Sequence, residues 1–191
     1  MILLSEKAQA EGVELFIMDF TDAFWNIPLS KAEQKWFCGK VRTWFLIYQC
    51  TAQGSRNGPL SWCSIAALLA RLTQGMFCPK TEARIQVYVD DPAITVKGTQ
   101  AKRNRIICLI IVAWMICGFK LAFPKAKRGT KVSWIGGDIE IVSRAVHVSI
   151  PEDKAQDLKT LTDEIEADNV VAVRKLRTYA GKANSLASRS M

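Results

Sequence analysis

The chain has 191 residues, 49% of them hydrophobic, and a formal net charge of +8. That composition excludes a disordered chain and suits one cored domain, or one domain with a small appendage. The longest apolar stretch, residues 106–119, covers 14 positions, short of the roughly 18 needed to span a bilayer, so a buried helix is expected and no membrane partner.

Residues 14–20 read as a short buried strand ending near Asp19. Ser30 and Glu33 have the spacing of a capping box for a short helix. Residues 41–48, rich in aromatic and branched side chains, predict a strand. Gly54, Asn57, Gly58 and Pro59 mark a loop, and residues 60–77 then predict a helix with Ile65, Leu68, Leu69, Leu72 and Met76 on one side. Residues 84–89 and 93–97 pair as a hairpin with Asp90 and Asp91 at its tip. Thr99 can cap a helix that closes at Gly118. Residues 132–135 and 139–142 predict a second hairpin turning through Gly136, Gly137 and Asp138. Pro151 opens an acidic helix that Asn169 breaks. A second, amphipathic helix from about Val170 sets Leu176, Tyr179, Ala180, Ala183 and Leu186 on one face and Arg174 and Arg177 opposite. Lys175 and Lys182 run along its flank, suited to a phosphate backbone.

The charge is concentrated. Residues 97–131 hold nine basic side chains and no acidic one, which leaves 26 minus 9, or 17, basic against 18 acidic residues elsewhere. A localised basic stretch suggests nucleic acid as the partner; a solvated surface is the plainer alternative. The six cysteines are scattered without a Cys-x-x-Cys pair, and His147 is the only histidine, in a strand-like run. Zinc and a catalytic histidine are therefore not expected. The cysteines suit a reducing compartment, and the amino terminus lacks signal-peptide features, so an intracellular protein (cytoplasm or nucleus) that is not secreted is expected.

Two adjacent carboxylates after the apolar run Ile85–Val89 repel each other and lose water unless a cation offsets them. A metal site is the sharper reading, an Asp-Asp turn the plainer one. If the strand before Asp19 and the one before Asp90 are sheet neighbours, Asp19, Asp90 and Asp91 converge on one rim. Those oxygen ligands suit two magnesium ions shared with substrate phosphates.

In order along the chain, Met18-Asp19-Phe20-Thr21-Asp22-Ala23-Phe24, Gln53-Gly54, Tyr88-Val89-Asp90-Asp91, Gly118-Phe119 and Ser133-Trp134-Ile135-Gly136 resemble the motifs of a retroelement (retrotransposon) reverse transcriptase. The resemblance implies an α+β fold. A polymerase palm, an antiparallel sheet backed by helices, would cover residues 1–148, and a small helical thumb-like region residues 149–191. It implies RNA-directed DNA polymerase activity, with two Mg2+ ions (Mn2+ as a possible substitute) held by Asp19 and Asp90 with help from Asp91. It implies dNTP contacts at Phe20, Phe24, Gln53 and Gly54, and at Lys125 or Lys127 near the pyrophosphate, with Phe24 beneath the incoming sugar. Tyr88, Trp134, Ile135, Gly136, Gly137, Arg174, Lys175 and Lys182 would meet an RNA or DNA template with its primer. Only 18 residues precede Asp19, so the family's fingers are expected to be mostly missing, as in a fragment of a mobile-element polyprotein. Ala52 and Pro92 depart from the family pattern. The alternative function is a catalytically inactive remnant that only binds nucleic acid.

Overall fold

The computed structural model describes residues 12–77, 82–142, 145–168 and 170–187. They divide into two compact units, the first ending at Gly129 and the second beginning at Thr130, whereas the sequence suggested a division after residue 148. Cys78 and Asn169 lie outside the described residues. No helix among the described residues is long and apolar enough to cross a membrane.

The first unit is built on a four-stranded antiparallel sheet of β1 (Val13–Ile17), β4 (Ala83–Tyr88), β5 (Asp91–Lys97) and β6 (Lys127–Gly129), in the order β4-β5-β1-β6. Between β1 and β4 come α1 (Lys31–Gln34), the ribbon of β2 (Cys38–Val41) and β3 (Trp44–Ile47), and α2 (Gly58–Gly75); α3 (Gln100–Ile116) follows β5. As an interior strand, β5 reads as a nearly unbroken apolar run and is buried from Pro92 to Val96. Helix α2 packs on β4 and α3 on β5. Their buried side chains, Trp62, Ala66 and Leu69 from one and Ile106, Ile107, Ile110 and Trp114 from the other, join Phe16, Met18, Phe20, Ile85, Ile94 and Val96 in one core.

Local chemistry sets the ends of these elements as expected. Glu33 accepts hydrogen bonds from the Ser30 N–H (3.0 Å) and hydroxyl (2.7 Å), completing the capping box. Thr99 Oγ1 accepts from the Lys102 N–H at 3.4 Å. Gly118 takes φ +86° just past α3, where the absence of a Cβ makes the left-handed stop cheap.

Two expectations are corrected. Residues 41–48 are not one strand: the chain reverses at Arg42 (φ +55°) and Thr43, and Cys38–Val41 pairs with Trp44–Ile47. The core face of α2 is also rotated from the expected one. Its buried row is Trp62, Ala66, Leu69 and Thr73, while Leu68 and Leu72 are 59% and 62% exposed. Small Ala66 lets the helix approach the sheet, and Trp62 fills the space beside it; the leucines alone gave no way to rank the two sides.

The second unit holds a three-stranded sheet, β7 (Lys131–Trp134), β8 (Gly137–Val142) and β9 (Ala145–Ser149), with α4 (Glu152–Ala167) and α5 (Val173–Ala187). Ile135 and Gly136, at φ +50° and +73°, form the two-residue turn between β7 and β8, the signs a type I′ hairpin requires. Lys154 Nζ donates to the Gly136 carbonyl at 3.3 Å and ties α4 to that turn. His147 lies exposed in β9.

Candidate active site

The carboxylates meet because the β1–β5 ladder continues beyond the two strands. Ile17 pairs with Ala93. The Met18 N–H then donates to the Pro92 carbonyl (3.2 Å) and the Phe20 N–H to the Asp90 carbonyl (3.1 Å). Asp19 therefore falls opposite Asp91, between two hydrogen-bonded pairs, a position where facing Cα atoms stand about 4.5 Å apart and side chains are closest. Pro92 is fully buried in an interior strand. Proline is normally excluded there; here its carbonyl still serves Met18, at the edge of the turn.

Tyr88 pairs with Asp91, so Val89 and Asp90 form the tip of the hairpin. Val89 sits at φ +54°, a left-handed conformation that is a true outlier for a β-branched residue.

A second backbone connection brings a cation to this rim. Phe20 bridges Leu121, the Thr21 N–H donates to the Lys120 carbonyl (2.9 Å), and the Ala122 N–H donates to the Asp19 carbonyl (2.9 Å). A short 3-10 turn, Phe123–Lys125, follows. Lys125 thereby reaches the Asp19 carboxylate and forms an ion pair and hydrogen bond with it. Lys127 instead lies in β6 opposite Ile17, so only Lys125 of the two candidates is brought to the carboxylates.

The electrostatics show that Asp91 senses the other two acids. Burial, then the charges of Asp90 and Asp19, push the Asp91 carboxyl above its ordinary 3.8, with Lys125 opposing. The hydrogen bond and charge of Asp19 push the Lys125 ammonium above 10.5; burial pulls the other way. Among the described residues no three His, Cys, Asp or Glu side chains stand arranged around one ion position; the Lys125 ammonium is the positive charge at the rim. The donor set still fits a divalent cation, because it offers hard oxygen ligands and a cation would relieve the burial and repulsion that raise Asp91.

Of the other expected residues, Phe24 and the Gln53-Gly54 loop share a neighbourhood. Phe24 lies in the 3-10 turn Ala23–Asn26, entered through Asp22 at φ +56°. Its ring is 3.6 Å from where a Cβ on Gly58 would stand, at the start of α2. Gln53 and Gly54 are exposed just ahead of that helix, and Gly54 takes φ +86° with open space around it. Phe20 is placed differently from the expectation. Its side chain is 3% exposed in a cluster with Trp62, Trp114 and Phe119, at ring centroid separations of 5.4, 5.1 and 5.8 Å. Only its backbone borders the carboxylates. Tyr88 is exposed at the hairpin.

The remaining expected contacts lie in the second unit. Trp134, Ile135, Gly136 and Gly137 make the β7–β8 turn and its closing pair. Arg174 is exposed on α5, but Lys175 and Lys182 hold the two helices together. Lys175 pairs with Glu164 (3.3 Å) and Asp168 (3.0 Å), and Lys182 with Asp157 (3.3 Å). Nor is the basic stretch one open surface. At least five of its nine cations are engaged: Lys102, Arg103, Lys125, Arg128 and Lys131 pair with Glu82, Glu14, Asp19, Glu14 and Glu140.

Sequence reasoning missed Trp62, whose indole N–H donates to the Val89 carbonyl at 2.7 Å. The available signal was its position four residues after Gly58, one turn into the helix that follows the Gln53-Gly54 loop.

The sequence matches the family model described as "Reverse transcriptase (RNA-dependent DNA polymerase)" over residues 4–139. No curated protein matches it. Among solved structures it is similar to the foamy viral protease-reverse transcriptase in complex with an RNA/DNA hybrid, at 17% identity and TM-score 0.69, over 90% of this chain and 21% of that one. Two further foamy viral structures, each in complex with double-stranded DNA, match at 16% identity and TM-score 0.66, over 90% of this chain and 27% and 32% of theirs. At such identities the likeness is one of fold, and it agrees with the expected α+β palm. The chain spans between about a fifth and a third of the length of these matched chains.

Proposed function

The chain belongs to the reverse transcriptase (RNA-dependent DNA polymerase) family, and on that premise we propose that it carries the palm of a mobile-element RNA-directed DNA polymerase. The reaction is transfer of a nucleotidyl group from a dNTP to a primer 3′-hydroxyl on an RNA or DNA template. The observation that supports it most is the continued ladder that sets Asp19 opposite Asp91 and beside Asp90. Asp19 and Asp90 would hold two Mg2+ ions, or Mn2+ in their place, with Asp91 assisting. When bound, such ions lower the pKa of the attacking hydroxyl and neutralise charge on the departing pyrophosphate.

The chain's own residues then have distinct tasks. Lys125 is exposed and paired with Asp19; were that carboxylate engaged by a cation, the lysine would give up the pair. Its ammonium would then meet the phosphates, where a fixed cation favours charge developing on the leaving group. Phe24 presents an aromatic ring under the incoming sugar and excludes a 2′-hydroxyl by bulk. Gln53 and Gly54 border the nucleotide, the glycine permitting close backbone approach. The Trp134–Gly137 turn bears on the primer, and Arg174 on its phosphates.

Primer extension on an RNA template, by this chain and by a version carrying an upstream fingers segment, tests the proposal with Asp90→Asn as control. Mg2+-dependent incorporation that falls at least about 100-fold in D90N is expected, since the substitution removes a ligand used in the transition state. Incorporation that persists in D90N sinks the metal role. Template binding without incorporation in every form leaves the nucleic-acid-binding remnant.

A further inference from the structure

Val89 is the residue least suited to its place in this site. It is β-branched, sits at φ +54°, and immediately precedes the two hairpin carboxylates. Primed two-residue turns normally put glycine or asparagine where the left-handed conformation is needed. Something outside the turn has to hold valine there.

The fold supplies one group in position to do so. Trp62 is fully buried, and a buried indole N–H needs an acceptor. It takes the Val89 carbonyl at 2.7 Å. That oxygen belongs to the peptide plane joining Val89 to Asp90, so its direction sets ψ of residue 89 and the point from which Asp90 leaves the backbone. The next carbonyl, that of Asp90, accepts from the Phe20 N–H at 3.1 Å. The Phe20 and Trp62 rings pack edge to face with centroids 5.4 Å apart, and Phe119 packs on both at 5.8 Å. Two successive carbonyls of the turn are thus held by residues locked against each other in the core.

We propose that Trp62 is a positioning residue of the polymerase site: its indole hydrogen bond holds Val89 in the left-handed conformation and so aims Asp90 and Asp91 at a shared cation. A phenylalanine at 62 fills most of the same space and cannot donate. The inference rests on the metal reading above, but the turn can be observed without metal.

The fold also contains a matched control. Trp114 is equally buried and packs on the same Phe20 ring, but its Nε1 donates to Thr73 Oγ1 at 2.8 Å and not to the hairpin. The experiment compares the full chain with Trp62→Phe and Trp114→Phe by two readouts. These are the Val89 Cα and carbonyl NMR shifts, which report φ, and the Mn2+ dissociation constant from calorimetric titration. W62F is expected to move the Val89 shifts toward negative φ and weaken Mn2+ binding about 5-fold, and W114F to change neither. Adding Val89→Gly to W62F should recover at least half of the lost affinity, because glycine enters the left-handed region without side-chain cost.

A W62F protein that keeps the left-handed signature overturns the proposal. So does equal weakening in W62F and W114F, or a turn that moves without change in Mn2+ affinity. A W62F/V89G protein as weak as W62F also counts against it. If the unsubstituted chain binds no Mn2+, the metal reading fails, and an unmoved Val89 in W62F would separately show that Trp62 does not hold the turn.

Discussion

Glu14 ties the strand that leads to Asp19 to the strand that follows Lys125, and Glu14→Gln measures how firmly. Its carboxylate accepts from Arg103 Nη2 at 2.8 Å and from Arg128 Nε and Nη2 at 2.7 and 2.6 Å. This joins β1, which leads to Asp19, with α3 and with β6, which follows Lys125. The Arg103 side chain is 13% exposed and that of Glu14 20%; Arg128 is more open at 33%. Breaking a largely buried charge-assisted hydrogen bond costs about 1.5–3 kcal/mol, and an exposed pair contributes under about 1 kcal/mol. Because glutamine keeps one carbonyl acceptor, the expected loss at pH 7 is about 2 kcal/mol. With m near 2 kcal/mol per molar urea, the unfolding midpoint falls by about 1 M. Urea titration followed by tryptophan fluorescence reads this directly. Burial alone raises the Glu14 carboxyl, but the hydrogen bonds and charges of Arg103 and Arg128 outweigh it and hold it below the ordinary 4.5. A lowered folded pKa means stability that is fully present above 4.5 and lost as pH falls through the folded value. The gap between the two proteins should therefore narrow below about pH 4.5, since glutamine does not titrate. A gap that is absent at pH 7, or equally wide at pH 7 and pH 3.5, refutes the reasoning.

Asp91→Asn should raise thermal stability while lowering Mg2+-dependent incorporation. Burial and two neighbouring carboxylates disfavour the Asp91 charge. After solvent screening the gain is on the order of 0.5 kcal/mol, or about 1–2 °C in Tm by calorimetry; a fall in Tm sinks the idea. On α2, Leu68→Gln should change the urea-unfolding free energy by less than about 0.5 kcal/mol, because Leu68 faces solvent. Ala66→Met should cost about 1–3 kcal/mol, because it forces the helix off the sheet; equal costs would show that the core face is wrongly assigned. Lys175→Met removes the links to Glu164 and Asp168. Amide exchange should quicken in α4 and α5 and stay unchanged in residues 12–129, and a uniform change across both units would contradict it.

What could be read from the amino acids was local in origin. The capping box at Ser30, the Thr99 cap and the hairpin around Asp90 follow from neighbours within four residues; the first two formed as expected, and the hairpin formed with its tip one residue earlier, at Val89 and Asp90. The break at Arg42 and Thr43 was hidden because neither residue is a usual left-handed turn former. The face of α2 was hidden because Leu68 and Leu72 stand on one side and Leu69 with Trp62 and Ala66 on the other, so hydrophobicity alone could not rank them. The site divides in the same way. That the backbone positions of Asp19, Asp90 and Asp91 would fall on one rim was legible, since each ends or flanks an apolar strand run. Which lysine answers them was not, because the choice depends on the bridge between Phe20 and Leu121, about a hundred residues apart in the chain. The basic stretch misled for the same reason: Glu14 lies 89 and 114 positions from the two arginines it engages. Local sequence located the carboxylates, but their charge balance is set by the sheet, which brings Lys125 onto Asp19 while Glu14 joins β1 to β6 and to α3.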